Sequence, residues 1–109
     1  MEARAQADLY RERCAAYGRP LGAIVLRRDI YVGEASSEAQ AVLRHALGRS
    51  YRGMPADALI AGSVDEVADR FRAFGEIGYT DILVRHLTSD QPKVLGSLER
   101  LAAVRAALA

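Results

Sequence analysis

The segment from Ala58 to His86, ALIAGSVDEVADRFRAFGEIGYTDILVRH, decides the fold class of this 109-residue chain. Ser63 and Glu66 have the spacing of a capping box, which predicts a helix that begins directly after Ser63. Apolar residues then recur at the spacing of one helix face. The residues of that face are Val64, Val67, Ala68, Phe71 and Phe74. Phe71, near the middle of this stripe, is therefore expected to lie in the core.

The end of the same segment predicts a buried strand. Gly75 and Gly78 stop the helix, and Gly78 suits the left-handed position that follows many helices. The apolar run Ile82–Val84 predicts a short strand, with Leu83 at its centre and in the core. The lead-in Ala58–Ala61 is either a short strand or the last turn before the helix. A helix that leads directly into an apolar strand is typical of α/β proteins.

The first half of the chain adds two helices and a strand. Glu2–Tyr17 is predicted to be a helix, followed by a Gly-Arg-Pro stop, because proline cannot continue a helix. Ala23–Val32 is rich in β-branched residues and predicts the best strand of the chain. Ser37 and Gln40 have the spacing of a second capping box, which predicts a helix up to about Leu47.

The predicted strand Ala23–Val32 carries charges as well as apolar residues. Alternation divides it into two faces. One face holds Ile24, Leu26, Arg28, Ile30 and Val32, and the other holds Val25, Arg27, Asp29 and Tyr31. We interpret Arg27, Arg28 and Asp29 as structural charges that reach solvent or pair with each other, with a ligand site as the alternative.

The remaining segments complete the order of elements. Arg49–Asp57 is predicted to be a turn-rich connection. Thr88–Pro92 is predicted to start the last helix, with Ser89 or Asp90 as its cap. The apolar stripe of that helix is Leu95, Leu98, Leu101, Ala102, Val104, Arg105 and Leu108. The order helix, strand, helix, helix, strand, helix predicts two parallel strands joined by right-handed crossovers.

Composition narrows the class of protein. Half of the residues are apolar and the net charge is +1, so we expect one ordered domain spanning residues 1–109 and no dedicated nucleic-acid binder. Cys14 is the single cysteine, so an internal disulfide and a cysteine metal cluster are impossible, and no metal site is expected. No apolar run is long enough to span a membrane. The expected location is the cytoplasm.

Two segments resemble the carboxyl-terminal end of the luciferase-like flavin-dependent oxidoreductases. Residues 10–47, YRERCAAYGRPLGAIVLRRDIYVGEASSEAQAVLRHAL, resemble that family's helix ending in Gly-Arg, its strand with arginines and a Tyr-Val pair, and its Ser/Thr-Glu-Ala helix start. Residues 60–86, IAGSVDEVADRFRAFGEIGYTDILVRH, resemble its Gly-Ser/Thr-x-Glu-x-Val helix and its last barrel strand. The resemblance covers nearly the whole chain, and the order and spacing of these motifs are more specific than any one of them.

The resemblance implies a fold and a chemistry. The family fold is a (β/α)8 barrel. The chain would be a TIM-barrel fragment, the C-terminal quarter to third of the barrel, with about two parallel strands and four helices, completed by self-association. The implied activity is that of a flavin-dependent monooxygenase or oxidoreductase that uses FMN or the deazaflavin F420. The family holds its flavin mainly through earlier strands, so we expect the isolated chain to be inactive and to bind either flavin weakly or not at all.

Candidate site residues follow from the barrel, where the chemistry lies at the carboxyl ends of the strands. That rule selects Val32–Glu34 after the first strand, and Arg85 and His86 after the second. Arg85 would bind an anion and His86 would exchange a proton. The alternative, which the residues alone favour, is that Arg85 pairs with Asp81 or Asp90 and that His86 lies in water. The catalytic residues are therefore unknown, with Arg85 and His86 as weak candidates.

Two further residue groups have simple structural interpretations. Gly62–Ser63 at a helix start could receive a phosphate through free backbone N–H groups. The simpler interpretation is that Ser63 caps its own helix, because Asp65 and Glu66 place negative charge where the phosphate would lie. His45 lies off the apolar stripe of its helix and is interpreted as a solvated histidine.

Two hypotheses of function come from different classes. In the first, the chain is the carboxyl-terminal fragment of a luciferase-like enzyme and acts with a chain that supplies the missing barrel strands. In the second, it is a non-catalytic, self-associating α/β interaction module. A homodimer is expected because open strand edges recruit other strands, and Ile24–Val32 is the strand predicted to make the contact.

Overall fold

The computed structural model describes residues 3–19, 22–48 and 58–109. Within these ranges the chain forms four helices and three strands, which confirms the α/β class. The elements are α1 (Ala3–Ala16), β1 (Val25–Val32), α2 (Ser36–Gly48), β2 (Leu59–Gly62), α3 (Val64–Glu76), β3 (Asp81–His86) and α4 (Gln91–Leu108). The predicted connection Arg49–Asp57 and the predicted helix stop at Pro20 lie outside the described residues.

The three strands form one parallel sheet in the order β2-β1-β3. The lead-in Ala58–Ala61 falls largely within β2, so it is a strand rather than a turn, and the predicted number of two strands is one too low. β1 pairs through Asp29–Val32 with the whole of β2 and through Val25–Ile30 with the whole of β3. The predicted parallel arrangement is confirmed.

The central position of β1 corrects the predicted dimer contact. The sequence predicts that Ile24–Val32 pairs with a second copy, but β1 lies between β2, which pairs with its second half, and β3, which pairs with Val25–Ile30. Ile30, Tyr31 and Val32 are no more than 1% exposed. A strand that is apolar on both faces is typical of the middle of a parallel sheet, because helices cover both faces there.

Helices cover the sheet on both faces. α2 packs against the face that carries Tyr31 and Leu59, whereas α3 and α4 pack against the face that carries Ile30 and Ile60. The chain moves from β1 outward to β2 and then back past β1 to β3. Two crossovers of the same hand that run in opposite directions place their helices on opposite faces. The result is a small doubly wound sheet.

The strand order differs from that of a barrel. In a (β/α)8 barrel each strand lies beside the next one in the chain, whereas here β1 separates β2 from β3. β1 and β3 are parallel neighbours, as two consecutive barrel strands would be. However, β2 occupies the other edge of β1 along Asp29–Val32. A preceding barrel strand would have to displace β2 from that edge.

A separate apolar cluster fixes α1 over the amino-terminal end of the sheet. Ala7 of α1 packs with Ile24, Leu26 and Tyr79. The Tyr79 hydroxyl also donates a hydrogen bond of 2.8 Å to the carbonyl oxygen of Ala3. These contacts join α1 to the turn between α3 and β3.

The predicted burial is confirmed for one side chain of the Ala58–His86 segment and wrong for another. Phe71 is 8% exposed and belongs to the core of α3, α4 and the sheet. Leu83 is 60% exposed. It lies in the edge strand β3 opposite Arg27, on the sheet face that α2 covers only near the carboxyl ends of the strands. An apolar run alone does not say whether its strand will be central or at an edge.

The predicted apolar stripe of α4 is correct in part: Val104 and Leu101 pack on the core. Leu95 and Leu98 are 57% and 48% exposed, whereas Ser97 and Val104 are buried. The buried stripe contains Ser97 because its hydroxyl has a hydrogen-bonding partner at the end of β1. A hydrophobic pattern favours the leucines, so it wrongly includes Leu95 and Leu98 in the buried face and omits Ser97.

The helix ends are mostly as predicted. Ser63 caps α3: its Oγ accepts the Glu66 N–H at 3.3 Å, and Glu66 Oε1 accepts the Ser63 N–H at 2.9 Å. Gly78 has φ of 113°, so a side chain at this position would be strained. Asp90 caps α4 by accepting the Lys93 N–H at 3.2 Å.

The second predicted capping box does not form in that way. α2 begins at Ser36 rather than after Ser37. The Gln40 side chain donates through Nε2 to the carbonyl oxygen of Ala61 at 3.0 Å. Gln40 therefore links α2 to β2 instead of reaching back to the helix start.

Replacing Ser63 with alanine is expected to destabilise the fold by about 1 kcal/mol, because the Glu66 N–H loses its acceptor at the start of α3. Thermal melts of Ser63→Ala and wild type measure the difference. Ser37→Ala is the matched control, since Ser37 is exposed. An unchanged midpoint for Ser63→Ala would show that the cap does not hold this helix start.

Candidate functional site

The carboxyl end of the sheet contains a topological switch point. β2 and β3 lie on opposite sides of β1, and the helices that follow β1 and β3 pack on opposite faces of the sheet. In open α/β sheets, ligands bind in the crevice outside the carboxyl ends of the strands at such a point. A cleft of about 780 Å³ opens there between α2 and the β3–α4 connection.

The cleft collects basic side chains from three parts of the chain. Arg85 and His86 line it from the end of β3, Lys93 from the first turn of α4, and His45 from α2. His45 and His86 are the two histidines of the sequence, and Lys93 is its single lysine. His86 is half-buried and the other three are exposed. An anion in the cleft would therefore meet guanidinium, ammonium and imidazole donors.

The remaining wall of the cleft combines apolar residues with Thr88, Ser89 and one carboxylate. Val42 and Leu87 contribute alkyl surface, and Glu38 contributes the carboxylate. Glu38 Oε1 accepts hydrogen bonds from the Tyr31 hydroxyl at 3.1 Å and from the Glu34 N–H at 3.2 Å. These two donors hold the Glu38 carboxylate against the protein, which weakens its repulsion of an anion in the cleft.

The Tyr31–Glu38 contact is formed where β1 turns into α2. Burial first, and the hydrogen bond to Glu38 second, raise the pKa of Tyr31 above its ordinary value, so the phenol stays protonated and donates. Gly33 is needed beside this pair because a Cβ there would lie 2.9 Å from both the Ala39 Cβ and Glu38 Oε1. The crowding at Gly33 explains why the turn after β1 has a glycine.

Two side chains of α4 complete the end of β1. The Ser97 hydroxyl accepts the Val32 N–H at 2.9 Å, and Arg100 Nε donates to the Val32 carbonyl oxygen at 2.8 Å. β3 ends at His86, opposite Ile30, so Val32 has no strand partner on that side. Ser97 and Arg100 lie three residues apart on one helix face and supply the acceptor and donor that a longer β3 would have supplied.

The predicted segment Val32–Glu34 is therefore largely structural. Val32 and Gly33 are buried, and Glu34 is exposed. The Glu34 carboxylate lies 3.8 Å from the Arg100 guanidinium in a loose ion pair. This part of the site positions β1 and α4 rather than facing the cleft.

The contact between Ser97 and His86 is not a nucleophile–base pair. Ser97 Oγ lies 2.8 Å from His86 Nε2, but Ser97 is 0% exposed. A nucleophile has to reach its substrate. With its oxygen accepting the Val32 N–H, the Ser97 hydroxyl can donate its own proton to Nε2 of neutral His86. The contact orients the imidazole at the edge of the cleft.

Acidification is expected to destabilise the fold from about pH 6.5 downward. Burial lowers the pKa of His86 below its ordinary value of 6.5, so the unfolded chain takes up a proton at a higher pH than the folded chain does. The contribution of His86 to the free energy of unfolding is therefore fully present above pH 6.5 and decreases as the pH falls. Below the lowered pKa of His86 it no longer changes. Protonation would also remove the acceptor of the Ser97 hydroxyl.

Urea unfolding of wild type and His86→Gln between pH 5 and 8 measures this effect. We expect the wild type to lose stability as the pH falls below about 6.5 and His86→Gln to lose less. The same measurement on His45→Gln assigns the slope to one of the two histidines. An equal slope in wild type and His86→Gln would contradict the role of His86.

Arg85 and His86 both line the cleft. As neighbours in a strand they lie on opposite faces of the sheet, so they meet the cleft only because it lies at the end of β3. Within the described part of the chain, Arg85 forms no ion pair with Asp81 or Asp90, the partners considered from the sequence. The cleft adds His45 and Lys93, which the sequence did not select as site residues. The feature of the sequence that could have drawn attention to them is their rarity: histidine and lysine are scarce in this arginine-rich chain.

The Gly62–Ser63 helix start does not offer a phosphate site. The Glu66 carboxylate already accepts the Ser63 N–H and also accepts a hydrogen bond of 3.2 Å from the Ser36 hydroxyl. These bonds, the one to the Ser63 backbone first, lower the pKa of Glu66. A negative side chain thus occupies the position that a phosphate would need.

The charges of β1 are structural for the most part. Arg28 lies over the Phe74 ring, 5.4 Å from its centre, and donates to the Arg27 carbonyl oxygen. Arg27 is exposed, as predicted. Asp29 is 3% exposed, so of the two predicted alternatives for these charges it does not reach solvent.

Comparison with known proteins adds no relative. No protein-family model matches the sequence, and neither a curated protein nor a solved structure is similar to it. Among the described helices, none is both long and apolar enough to cross a bilayer. In residues 3–19, 22–48 and 58–109, no three histidine, cysteine, aspartate or glutamate side chains are grouped as they would be around a metal ion.

Proposed function

We propose that the cleft binds the anionic group of a small molecule, a phosphate or a carboxylate, and that the chain is not catalytic by itself. The observation that supports this proposal is that Arg85, Lys93 and both histidines line one cleft at a topological switch point. They come from three elements, so the tertiary fold rather than one basic run of sequence assembles the donors.

The resemblance to the luciferase-like flavin-dependent oxidoreductases remains our proposal for the family. On that proposal the chain is the carboxyl-terminal part of a barrel, and β1 and β3 are its last two strands. The parallel β1–β3 pairing supports it, and the position of β2 weighs against it. FMN and F420 both carry phosphate, which suits the basic side chains of the cleft. The single cysteine suits the reducing cytoplasm, our proposed location.

The cleft fits the phosphate of a flavin better than its ring. The cationic groups are suited to phosphate oxygens, whereas the apolar lining consists of alkyl side chains such as Val42 and Leu87. A flat ring binds best between aromatic or closely stacked surfaces. We therefore expect weak flavin binding that depends on the phosphate.

A titration followed by NMR of the histidine rings tests the proposal. Inorganic phosphate and FMN are expected to shift the His86 and His45 ring signals at millimolar concentrations, and riboflavin, which lacks the phosphate, is expected to leave them unchanged. Lys93→Gln should weaken phosphate binding several-fold. Arg70→Gln, which removes an exposed charge from α3, is the matched control.

Two results would overturn the proposal. The first is the absence of any response to phosphate in the folded wild-type protein. The second is riboflavin binding as tightly as FMN, since this would assign the affinity to the ring and not to the anion.

A further inference from the structure

The outer edge of β3 is open within the described part of the chain. β3 is a terminal strand of the sheet, and two of its apolar side chains are exposed: Leu83 to 60% and Val84 to 37%. Open strand edges pair readily with other strands. Along this edge, on the face covered by α3 and α4, runs an apolar groove of about 760 Å³ that includes Ile82, Leu101 and Leu108.

The hydrogen bonds between β3 and its neighbour show which residues of β3 have backbone groups that point outward. The Leu87 N–H donates to the carbonyl oxygen of Ile30 in β1, and the Asp81 N–H donates to that of Ile24, the residue directly before β1. Since backbone groups alternate in direction along a strand, those of Ile82 and Val84 point away from β1. In an antiparallel pair, residues whose backbone groups point toward each other form the hydrogen-bonded positions, and the residues between them form the closer, non-hydrogen-bonded positions.

The sequence of β3 is complementary to itself in one antiparallel register. If a two-fold axis passes at Leu83, Ile82 faces Val84 of the second copy in a hydrogen-bonded position. Leu83 then faces its own equivalent, and Asp81 faces Arg85 of the second copy, both in the closer positions. Asp81, Leu83 and Arg85 share one sheet face by alternation, so opposite charges meet on either side of an apolar centre.

We propose that two copies of this chain associate through β3, antiparallel and in this register, to form a continuous six-stranded sheet. The axis is perpendicular to the sheet, so like faces of the two copies lie on the same side and the two apolar grooves become neighbours. An interface of this kind is self-complementary, as two-fold symmetry requires. Arg85 has five N–H donors, so pairing with one carboxylate leaves donors for an anion in the cleft. The inference does not depend on the proposed ligand.

A charge exchange tests the register. Light scattering coupled to size exclusion, over the micromolar range, is expected to give twice the chain mass of 11.8 kDa for the wild type. Asp81→Arg places two arginines opposite each other at both ends of the contact and is expected to give the monomer. Adding Arg85→Asp restores opposite charges, and the double variant is expected to return to the dimer.

A second variant keeps the test decisive if Asp81→Arg fails to fold. Leu83→Asp places two carboxylates together at the two-fold axis and is expected to give a folded monomer, because Leu83 is largely exposed in the single chain. Tyr17→Asp alters another exposed apolar side chain, 71% exposed, and should stay dimeric. A wild type that is monomeric at every concentration would overturn the proposal. A folded Asp81→Arg/Arg85→Asp double variant that remains monomeric would also overturn it. The same holds if Asp81→Arg or Leu83→Asp forms a dimer.

Discussion

Phe71→Ala is expected to lower the free energy of unfolding by about 3 kcal/mol, the largest loss among the substitutions considered. Phe71 lies on the buried face of α3 and is 8% exposed. It packs with Val67, Ile60 and Val104, so it joins α3 and α4 to the sheet. Truncation removes the burial of an aromatic ring and leaves a cavity that three elements can close only in part.

Urea unfolding at one fixed protein concentration measures the effect of Phe71→Ala. Tyr17→Ala is the matched control, because it also shortens an aromatic side chain to alanine but at a position that is 71% exposed. We expect Tyr17→Ala to stay within about 0.5 kcal/mol of the wild type. If both variants lose the same stability, Phe71 does not occupy the core position described.

Ser97→Ala is expected to cost about 2 kcal/mol, which is large for the loss of one oxygen atom. The buried Val32 N–H would lose its acceptor, and His86 Nε2 would lose its partner. Because Ser97 is completely buried, water cannot easily take over these bonds. The cost is that of an unsatisfied buried donor rather than the smaller net value of an exchanged hydrogen bond.

Two measurements separate this cause from a general loss of packing. Chemical unfolding of Ser97→Ala gives the total effect, with Ser89→Ala as the exposed control. Hydrogen exchange of the Val32 amide reads the proposed site directly. Exchange at Val32 should accelerate more than at Ile60, which packs in the same apolar cluster as Val32. Unchanged stability together with unchanged exchange at Val32 would contradict the role of Ser97.

Only part of the candidate site could be predicted from the positions of the strand ends in the sequence. Arg85 and His86 could be selected from the sequence because they directly follow an apolar run, and the carboxyl ends of parallel strands are where ligands bind. His45 and Lys93 could not, because each lies on a helix whose position in space depends on the sheet order. Ser97 was missed because a serine in a helix with several leucines gives no hydrophobic signal, although it is the buried residue.

The sequence by itself determined the local features of this protein: where α3 and α4 begin, the glycine turn at Gly78, the two longer strands and their parallel direction. These depend on short-range effects, namely side-chain caps, backbone sterics and the need of parallel strands for helical crossovers. The burial of Phe71 was also determined by the sequence, because α3 has one clearly apolar face and Phe71 lies on it.

Only the tertiary structure decided that β1 is central, that β3 is an edge strand, and that four basic side chains share a cleft. Sheet order is chosen by the total burial of both faces, to which every element contributes, and no single segment carries that information. Because of the same competition, the apolar Leu83 is exposed and the polar Ser97 is buried, the opposite of what their hydrophobicity predicts. The hydroxyl of Ser97 satisfies a backbone group that the short β3 cannot reach, and no leucine side chain can do so.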